Sequence, residues 1–162
     1  MAPISRETNY IIVELGQRSI THEAAEADRE SELEIKIIFT DTEGTLAALK
    51  LAGDLACNLA ARVNLLVLQA VPLSFPLTSP PISIPFTEQC LLELAYRGAQ
   101  GPLETAIHLY LCRDKQQVLS RVLMPKSLVI IGGKKRWWPT KESKLARMLR
   151  SQGHQVVLAH QE

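Results

Sequence analysis

Ser127-Leu128-Val129-Ile130-Ile131-Gly132-Gly133 is the stretch that decides the fold. Its apolar residues have no helical period and are partly β-branched, which is typical of a buried strand. The glycine pair allows positive φ and a close approach of the backbone to a ligand. A basic loop and a helical pattern over 140–150 follow. In open α/β sheets this arrangement places the ligand crevice at the carboxyl end of the strand, and the free N–H groups at the helix start favour an anion.

The rest of the chain alternates strand and helix patterns at regular spacing. Apolar runs and alternation predict four more strands, and apolar residues at helical spacing predict three more helices. This order predicts an α/β fold with three α/β/α layers around a five-stranded, parallel, doubly wound sheet of the Rossmann-like type. The predicted strands are 33–40, 62–71, 103–112, 127–131 and 154–159, and the predicted helices are 45–61, 86–97, 115–124 and 140–150.

Composition limits the class of protein. A chain of 162 residues with 46% hydrophobic and 22% charged residues suits one globular domain with its own core. The net charge of +1 provides no global field that would recruit nucleic acid.

Cys57, Cys90 and Cys112 form no CxxC pair, so we expect reduced thiols and no metal site. The chain has no apolar signal core and no run near 18 apolar residues, so we expect a cytoplasmic protein without membrane insertion.

The charge is unevenly distributed along the chain. Residues 1–34 carry eight acids against three bases, and residues 126–162 carry eight bases against two acids. We predict that residues 1–32 form an acidic N-terminal arm and that 33–162 form the folded domain. Within the arm, Tyr10–Leu15 has a strand pattern and is expected to dock on a sheet edge. For residues 21–34 a short helix and a disordered tether both stay open.

The one long loop, Pro72–Pro85, contains five prolines and is too apolar for a plain linker. We expect it to lie over the carboxyl edge of the sheet or to pack on a partner. Trp137 and Trp138 are expected to fill the crevice or to bury against this loop or a second subunit. The adjacent bases Lys134-Lys135-Arg136 are interpreted as a solvated loop, not as a nucleic-acid site.

Several of these segments, taken in order, are similar to the universal stress protein family over residues 33–160. The similarity lies in the first strand with its terminal aspartate and first helix, the second strand, the fourth strand and the closing helix and strand. It implies a domain of the adenine nucleotide alpha hydrolase-like kind. The segments are Ile37–Asp41 with Thr45–Leu49, Leu65–Pro72, Leu128–Gly132, and Met148–Arg150 with Val156–Ala159.

The nucleotide motif of that family is only partly matched. ATP-binding members carry G-x2-G-x9-G-[S/T] after the fourth strand. Gly132 matches the first glycine, whereas Lys135 stands at the second glycine position and Glu142-Ser143 at the glycine–hydroxyl pair. The segment between is also six residues, 136 to 141, rather than nine. A long cation and an acid therefore replace two glycines, and the acid would repel a phosphate.

The resemblance implies a set of nucleotide-binding residues. Asp41 matches an adenosine-contacting aspartate and Ala70 a position beside the base. The first motif glycine, a phosphate contact, is matched by Gly132, which Gly133 adjoins. A basic phosphate contact is matched by Lys134, and the closing hydroxyl by Ser143. From the residues alone, Asp41 is at least as well explained as the cap of the first helix. Asp41 and Glu142 would form an acid/base pair only if the fold brings them together, and Ser143 has no nearby His or Asp that would make it a hydrolase nucleophile.

Two functions of different class follow. The first is a regulatory, stress-response module that is not an enzyme, binds no cofactor and acts through dimerisation and protein partners. The resemblance implies that last strands from two chains pair, and Gln155-Val156-Val157-Leu158-Ala159 is suitably β-prone. The second is a stress protein that binds an adenine nucleotide, ATP or AMP, with at most slow hydrolysis. A soluble module that serves a membrane transporter is neither supported nor excluded by the sequence.

Overall fold

A computed structural model describes residues 9–15, 33–98, 105–134 and 140–160. Within these ranges the chain is an α/β protein with a mostly parallel sheet of six strands and four helices, consistent with a Rossmann-like fold. Residues 1–8 and 16–32 of the predicted acidic arm lie outside the described residues. The loop at 135–139, which contains both tryptophans, also lies outside them. The elements are β1 (Tyr10–Leu15), β2 (Glu34–Ile38), α1 (Thr42–Leu59), β3 (Arg62–Ala70), α2 (Ile84–Gly98), β4 (Thr105–Cys112), α3 (Lys115–Val122), β5 (Leu128–Gly133), α4 (Lys141–Ser151) and β6 (Gln155–His160).

The strand order in the sheet is β1-β4-β3-β2-β5-β6. Strands β2 to β6 are parallel to one another, and β1 runs antiparallel along β4, with Val13 opposite Leu109. The sheet therefore has six strands where five were predicted, because the Tyr10–Leu15 segment pairs with the β4 edge. The order reverses between β2 and β5, which are neighbours although two other core strands separate them in sequence.

The buried side chains form two clusters. Consecutive residues of β2 belong to different clusters, Ile37 to one and Ile38 to the other, because side chains alternate along a strand. The first cluster contains the buried residues of α1 and α2, such as Ala52 and Leu91. The second contains those of α3 and α4, such as Leu119. Burial on both faces explains why the core strands are nearly continuous apolar runs.

Helix α1 lies close to the sheet because alanines line its inner side. Ala48 and Ala52 are fully buried, and Ala56 nearly so. The helix begins after Asp41, whose backbone is extended, and ends at Ala60 in the left-handed region. This packing brings the first turn of α1 against the end of β5.

The proline-rich loop is held by one side chain. The Arg113 guanidinium donates hydrogen bonds to the carbonyls of Val71, Pro72 and Phe75 at 2.7–2.9 Å. Leu77 and Ile82 in the loop pack against the first cluster. The loop ends one residue before Ile84 rather than at Pro85, because proline is tolerated in the first turn of a helix.

Candidate functional site

The candidate site lies where β2 and β5 end. Ile38 of β2 is opposite Ile131 of β5, so Asp41, just after β2, and Gly132, near the end of β5, belong to neighbouring parallel strands. The Thr40 hydroxyl joins the two strand ends by donating to the Gly132 carbonyl at 2.8 Å. The reversal of strand order at this point is where ligands bind in open α/β sheets.

The backbone of the first turn of α1 packs directly against the end of β5. A Cβ atom on Gly44 would lie 2.9 Å from the carbonyl carbon and oxygen of Gly132. A Cβ atom on Gly132 would overlap the Gly44 carbonyl. Both glycines are buried. The absence of a side chain at Gly132 is therefore required by helix packing, whether or not a ligand approaches.

Asp41 is the N-cap of α1. Its Oδ1 accepts a hydrogen bond from the Gly44 N–H at 2.6 Å, and its carbonyl accepts from the Thr45 N–H at 2.9 Å. A carboxylate at a helix N-terminus is also favoured by the helix dipole. One oxygen of the predicted nucleotide contact is thus used by the protein itself, which is the alternative that the sequence offered.

Two acidic side chains lie beside the predicted phosphate contacts Gly133 and Lys134. The Lys134 ammonium lies 3.8 Å from Glu43 Oε2, and both side chains are largely exposed. A Cβ atom on Gly133 would lie 3.3 Å from Cβ and Cγ of Glu142. Lys134, the one described cation of the predicted phosphate contacts, is therefore already partnered by a carboxylate, and a second acid lies beside Gly133.

Ser143 belongs to the cap of α4. Its backbone N–H donates to Thr140 Oγ1 at 3.2 Å, and its hydroxyl donates to the Thr140 carbonyl at 2.9 Å. The first of these bonds satisfies a backbone N–H that a helix start leaves unpaired. The hydroxyl proton is engaged within the turn and does not point to a neighbouring base.

Ala70 lies at the same sheet edge but farther out. Leu66 of β3 is opposite Ile38 of β2, and Ala70 follows four residues later, opposite Cys112. Four residues of strand extend β3 by about 13 Å beyond the last paired residue of β2. Asp41, Gly132, Gly133 and Lys134 therefore lie together around the end of β5, whereas Ala70 ends a protruding strand. Lys135, at the second glycine position, lies outside the described residues.

Sequence reasoning missed three residues at this site, Thr40, Glu43 and Gly44. Gly44 lies inside α1 and is the residue on which Gly132 packs. A glycine in the first turn of a helix that follows the first core strand is the signal that would have indicated a close backbone approach.

No protein-family model matches the chain, and a search of curated proteins gives no match either.

Within the described ranges, no three His, Cys, Asp or Glu side chains come together as a group that would hold a metal ion. None of helices α1 to α4 has the length and apolar character needed to cross a membrane.

Proposed function

We propose that the chain is a regulatory module of the universal stress protein type that acts through self-association and protein contacts, without ATP turnover. The proposal includes a doubly wound core of β2 to β6. The reversal of strand order between β2 and β5 supports this topology. The division of the helices between two buried clusters, α1 and α2 in one and α3 and α4 in the other, supports the layering.

The observation that carries the absence of turnover is the contact between Gly44 and Gly132. In a nucleotide-binding crevice, the strand-ending glycine lets a phosphate approach the backbone. In this chain the glycine accommodates the first turn of α1, and its carbonyl accepts a hydrogen bond from Thr40. The backbone of the first turn of α1 therefore takes the space beside Gly132 that a phosphate would use.

The charges around the same point support the proposal. Asp41, Glu43 and Glu142 contribute three carboxylates near the end of β5, and Lys134 is paired with one of them. A triphosphate seated there would face these carboxylates at short range, where like charges repel most strongly. The free energy of binding would have to offset both this repulsion and the loss of the Lys134–Glu43 pair.

Self-association is proposed at β6. Among the described strands it ends the sheet and pairs with β5 on one side only. Gln155 and Val157 are exposed, and Val157 keeps 37% of its surface accessible. An exposed strand edge with β-branched side chains favours pairing with another strand, here the β6 of a second copy.

Thermal unfolding with millimolar ATP and Mg²⁺ tests the absence of nucleotide binding. We expect an unchanged melting temperature for the full chain. Saturating ATP, at about 100 times its dissociation constant, would stabilise the fold by about 2.7 kcal/mol, which is a shift of several degrees. Isothermal titration calorimetry under the same conditions should give no heat beyond dilution.

The competing hypothesis, an ATP- or AMP-binding stress protein, makes the opposite prediction. A saturable rise in melting temperature that Asp41→Asn or Lys134→Gln abolishes would contradict our proposal and support nucleotide binding at this site. Asp41→Asn is the sharper variant, because asparagine also caps helices and α1 should stay intact.

A further inference from the structure

The connection between β3 and α2 exposes large apolar side chains. Leu73, Phe75 and Phe86 keep 88%, 41% and 66% of their surface accessible, respectively. Leu73 lies in a tight turn, in which the Phe75 N–H donates to the Pro72 carbonyl at 3.0 Å. Phe86 lies in the first turn of α2, where the proline-rich loop ends. We call Leu73, Phe75 and Phe86 the apolar tip.

The apolar tip belongs to a stretch of chain without charge. Residues 63–87 contain no Asp, Glu, Lys or Arg. The first turn of α2 also lacks an acid, although the helix dipole would favour a carboxylate there. Single exposed apolar residues are normal in proteins, whereas a group of them marks a site of contact with a protein or a membrane. The composition therefore indicates a surface suited to an uncharged, apolar environment.

The backbone carbonyls of the turn are satisfied within the protein. The Arg113 guanidinium donates to the carbonyls of Val71, Pro72 and Phe75 at 2.7–2.9 Å. The five prolines of the loop have no N–H to satisfy. Unsatisfied backbone groups oppose the transfer of a loop into an apolar medium. Arg113 therefore lowers the free-energy cost of placing this turn in such a medium, while it holds the turn in one conformation.

The turn also protrudes from the sheet. Strand β3 continues for four residues past its last pairing with β2, so the loop that follows it starts about 13 Å beyond β2. At the same height, Cys112 ends β4, and Asp114 and Lys115 begin α3. These last two side chains are exposed and of opposite sign. A surface that contacts the apolar tip therefore buries no net charge from this pair.

We propose that the apolar tip docks on the interfacial region of a lipid bilayer. The composition favours lipid over a protein partner, because hot spots of protein interfaces are rich in Trp, Tyr and Arg and poor in Leu, Ser and Thr. The exposed residues of the loop and tip are instead Leu, Phe, Pro, Ser and Thr. This is a surface contact, which requires no membrane-spanning segment. It does not depend on the proposed stress-protein function.

Flotation of the full chain with phosphatidylcholine vesicles tests the docking. We expect half of the protein to float at about 1 mM lipid, because even a myristoyl chain binds membranes only marginally. Leu73→Ser and Phe86→Ser should each lower the partition coefficient roughly tenfold, since each removes a large apolar side chain from the contact. Met124→Ser is the matched control, because Met124 is 69% exposed at the opposite edge of the sheet, and it should float like the parent chain.

Four results would overturn the proposal. The first two are equal flotation of all three variants and no flotation of the parent chain at several millimolar lipid. The third is binding to anionic vesicles alone that high salt abolishes, which would assign the contact to basic residues. The fourth is a loss of self-association in Leu73→Ser, seen by light scattering, without a loss of flotation, which would assign the tip to a contact between copies. The far-ultraviolet circular dichroism of each variant reports whether the fold is intact.

Hydrogen exchange of the parent chain is a second measurement, which needs no variant. Vesicles should slow the exchange within residues 73–79 several-fold and leave residues 117–124, at the end of α3, unchanged. Slowing of equal size in both segments, or in residues 117–124 alone, would refute docking through the apolar tip.

Discussion

For Gly132, the sequence predicts the residue's place at the end of a buried strand but not the group that packs against it. The sequence predicts that a glycine pair ends a buried strand, and the structure agrees. The property that matters, the missing Cβ, serves a ligand and a neighbouring backbone equally well. The neighbour, Gly44, is 88 residues away (132 − 44) and contacts Gly132 only because β2 and β5 are adjacent. For Asp41, the sequence offered two roles, a nucleotide contact and the cap of the first helix, and its carboxylate caps α1 in the structure.

The substitution Gly132→Ala tests the backbone contact. The new Cβ would overlap the Gly44 carbonyl, so α1 would have to shift, and we expect a loss of about 3 kcal/mol or more in the free energy of unfolding. Gly53→Ala is the control, because nothing lies within 4 Å of its Cβ position and the helix interior prefers alanine, which should add about 0.5–1 kcal/mol. Urea denaturation measures both. A loss below about 1 kcal/mol for Gly132→Ala would argue against the close contact.

Tyr110 provides a pH-dependent prediction. Burial, the neighbouring Tyr10 and Glu14 raise the pKa of its phenol from 10.0 to about 12. The neutral form is favoured in the folded state, so this contribution to stability is complete below pH 10 and is lost as the pH rises toward 12. The two pKa values differ enough for a loss of roughly 2–3 kcal/mol. Urea denaturation should show this extra loss in the parent chain and not in Tyr110→Phe. Equal pH dependence in the two proteins would contradict the assignment.

At the scale of elements, the periodic patterns predicted all four helices to within a few residues of their observed bounds. The patterns report local burial, and each helix has one buried side. The pairing of β1 is harder, because an alternating segment indicates an edge strand without specifying the edge or the direction. The hold of Arg113 on the proline-rich loop was not predicted, because the three carbonyls it contacts lie about 40 residues earlier in the chain.

The substitution Arg113→Lys tests how that loop is held. A lysine ammonium has no planar fork, so it cannot donate to the carbonyls of Val71, Pro72 and Phe75 in the observed geometry. We expect a loss of about 1–3 kcal/mol in the free energy of unfolding, since hydrogen bonds from charged groups are among the stronger ones. Hydrogen exchange in residues 73–79 should also accelerate. Arg121→Lys, at an exposed position of α3, should change neither quantity, and similar behaviour of the two variants would mean that Arg113 does not order the loop.

At the scale of the whole molecule, the alternation of strands and helices predicted the mostly parallel sheet. Right-handed crossovers leave few ways to arrange such a chain, so this long-range feature is accessible from the sequence. The contents of the crevice are not, because they depend on how closely α1 packs and on where three carboxylates fall after packing. A degenerate glycine motif is therefore best interpreted together with the backbone that packs against it, here the first turn of α1.

The edge strand β6 carries the last prediction, that two copies associate through it. Light scattering after size exclusion should give twice the chain mass of 18.0 kDa for the parent protein at tens of micromolar. Val157→Lys should return the mass to 18.0 kDa, because a charge on an exposed edge strand disfavours strand addition. Ile12→Lys is the matched control, since Ile12 is a β-branched residue on the opposite edge strand and is 48% exposed, against 37% for Val157. It should leave the dimer intact if β6 is the interface. A monomeric parent protein, or a dimer that survives Val157→Lys and dissociates with Ile12→Lys, would move self-association away from β6.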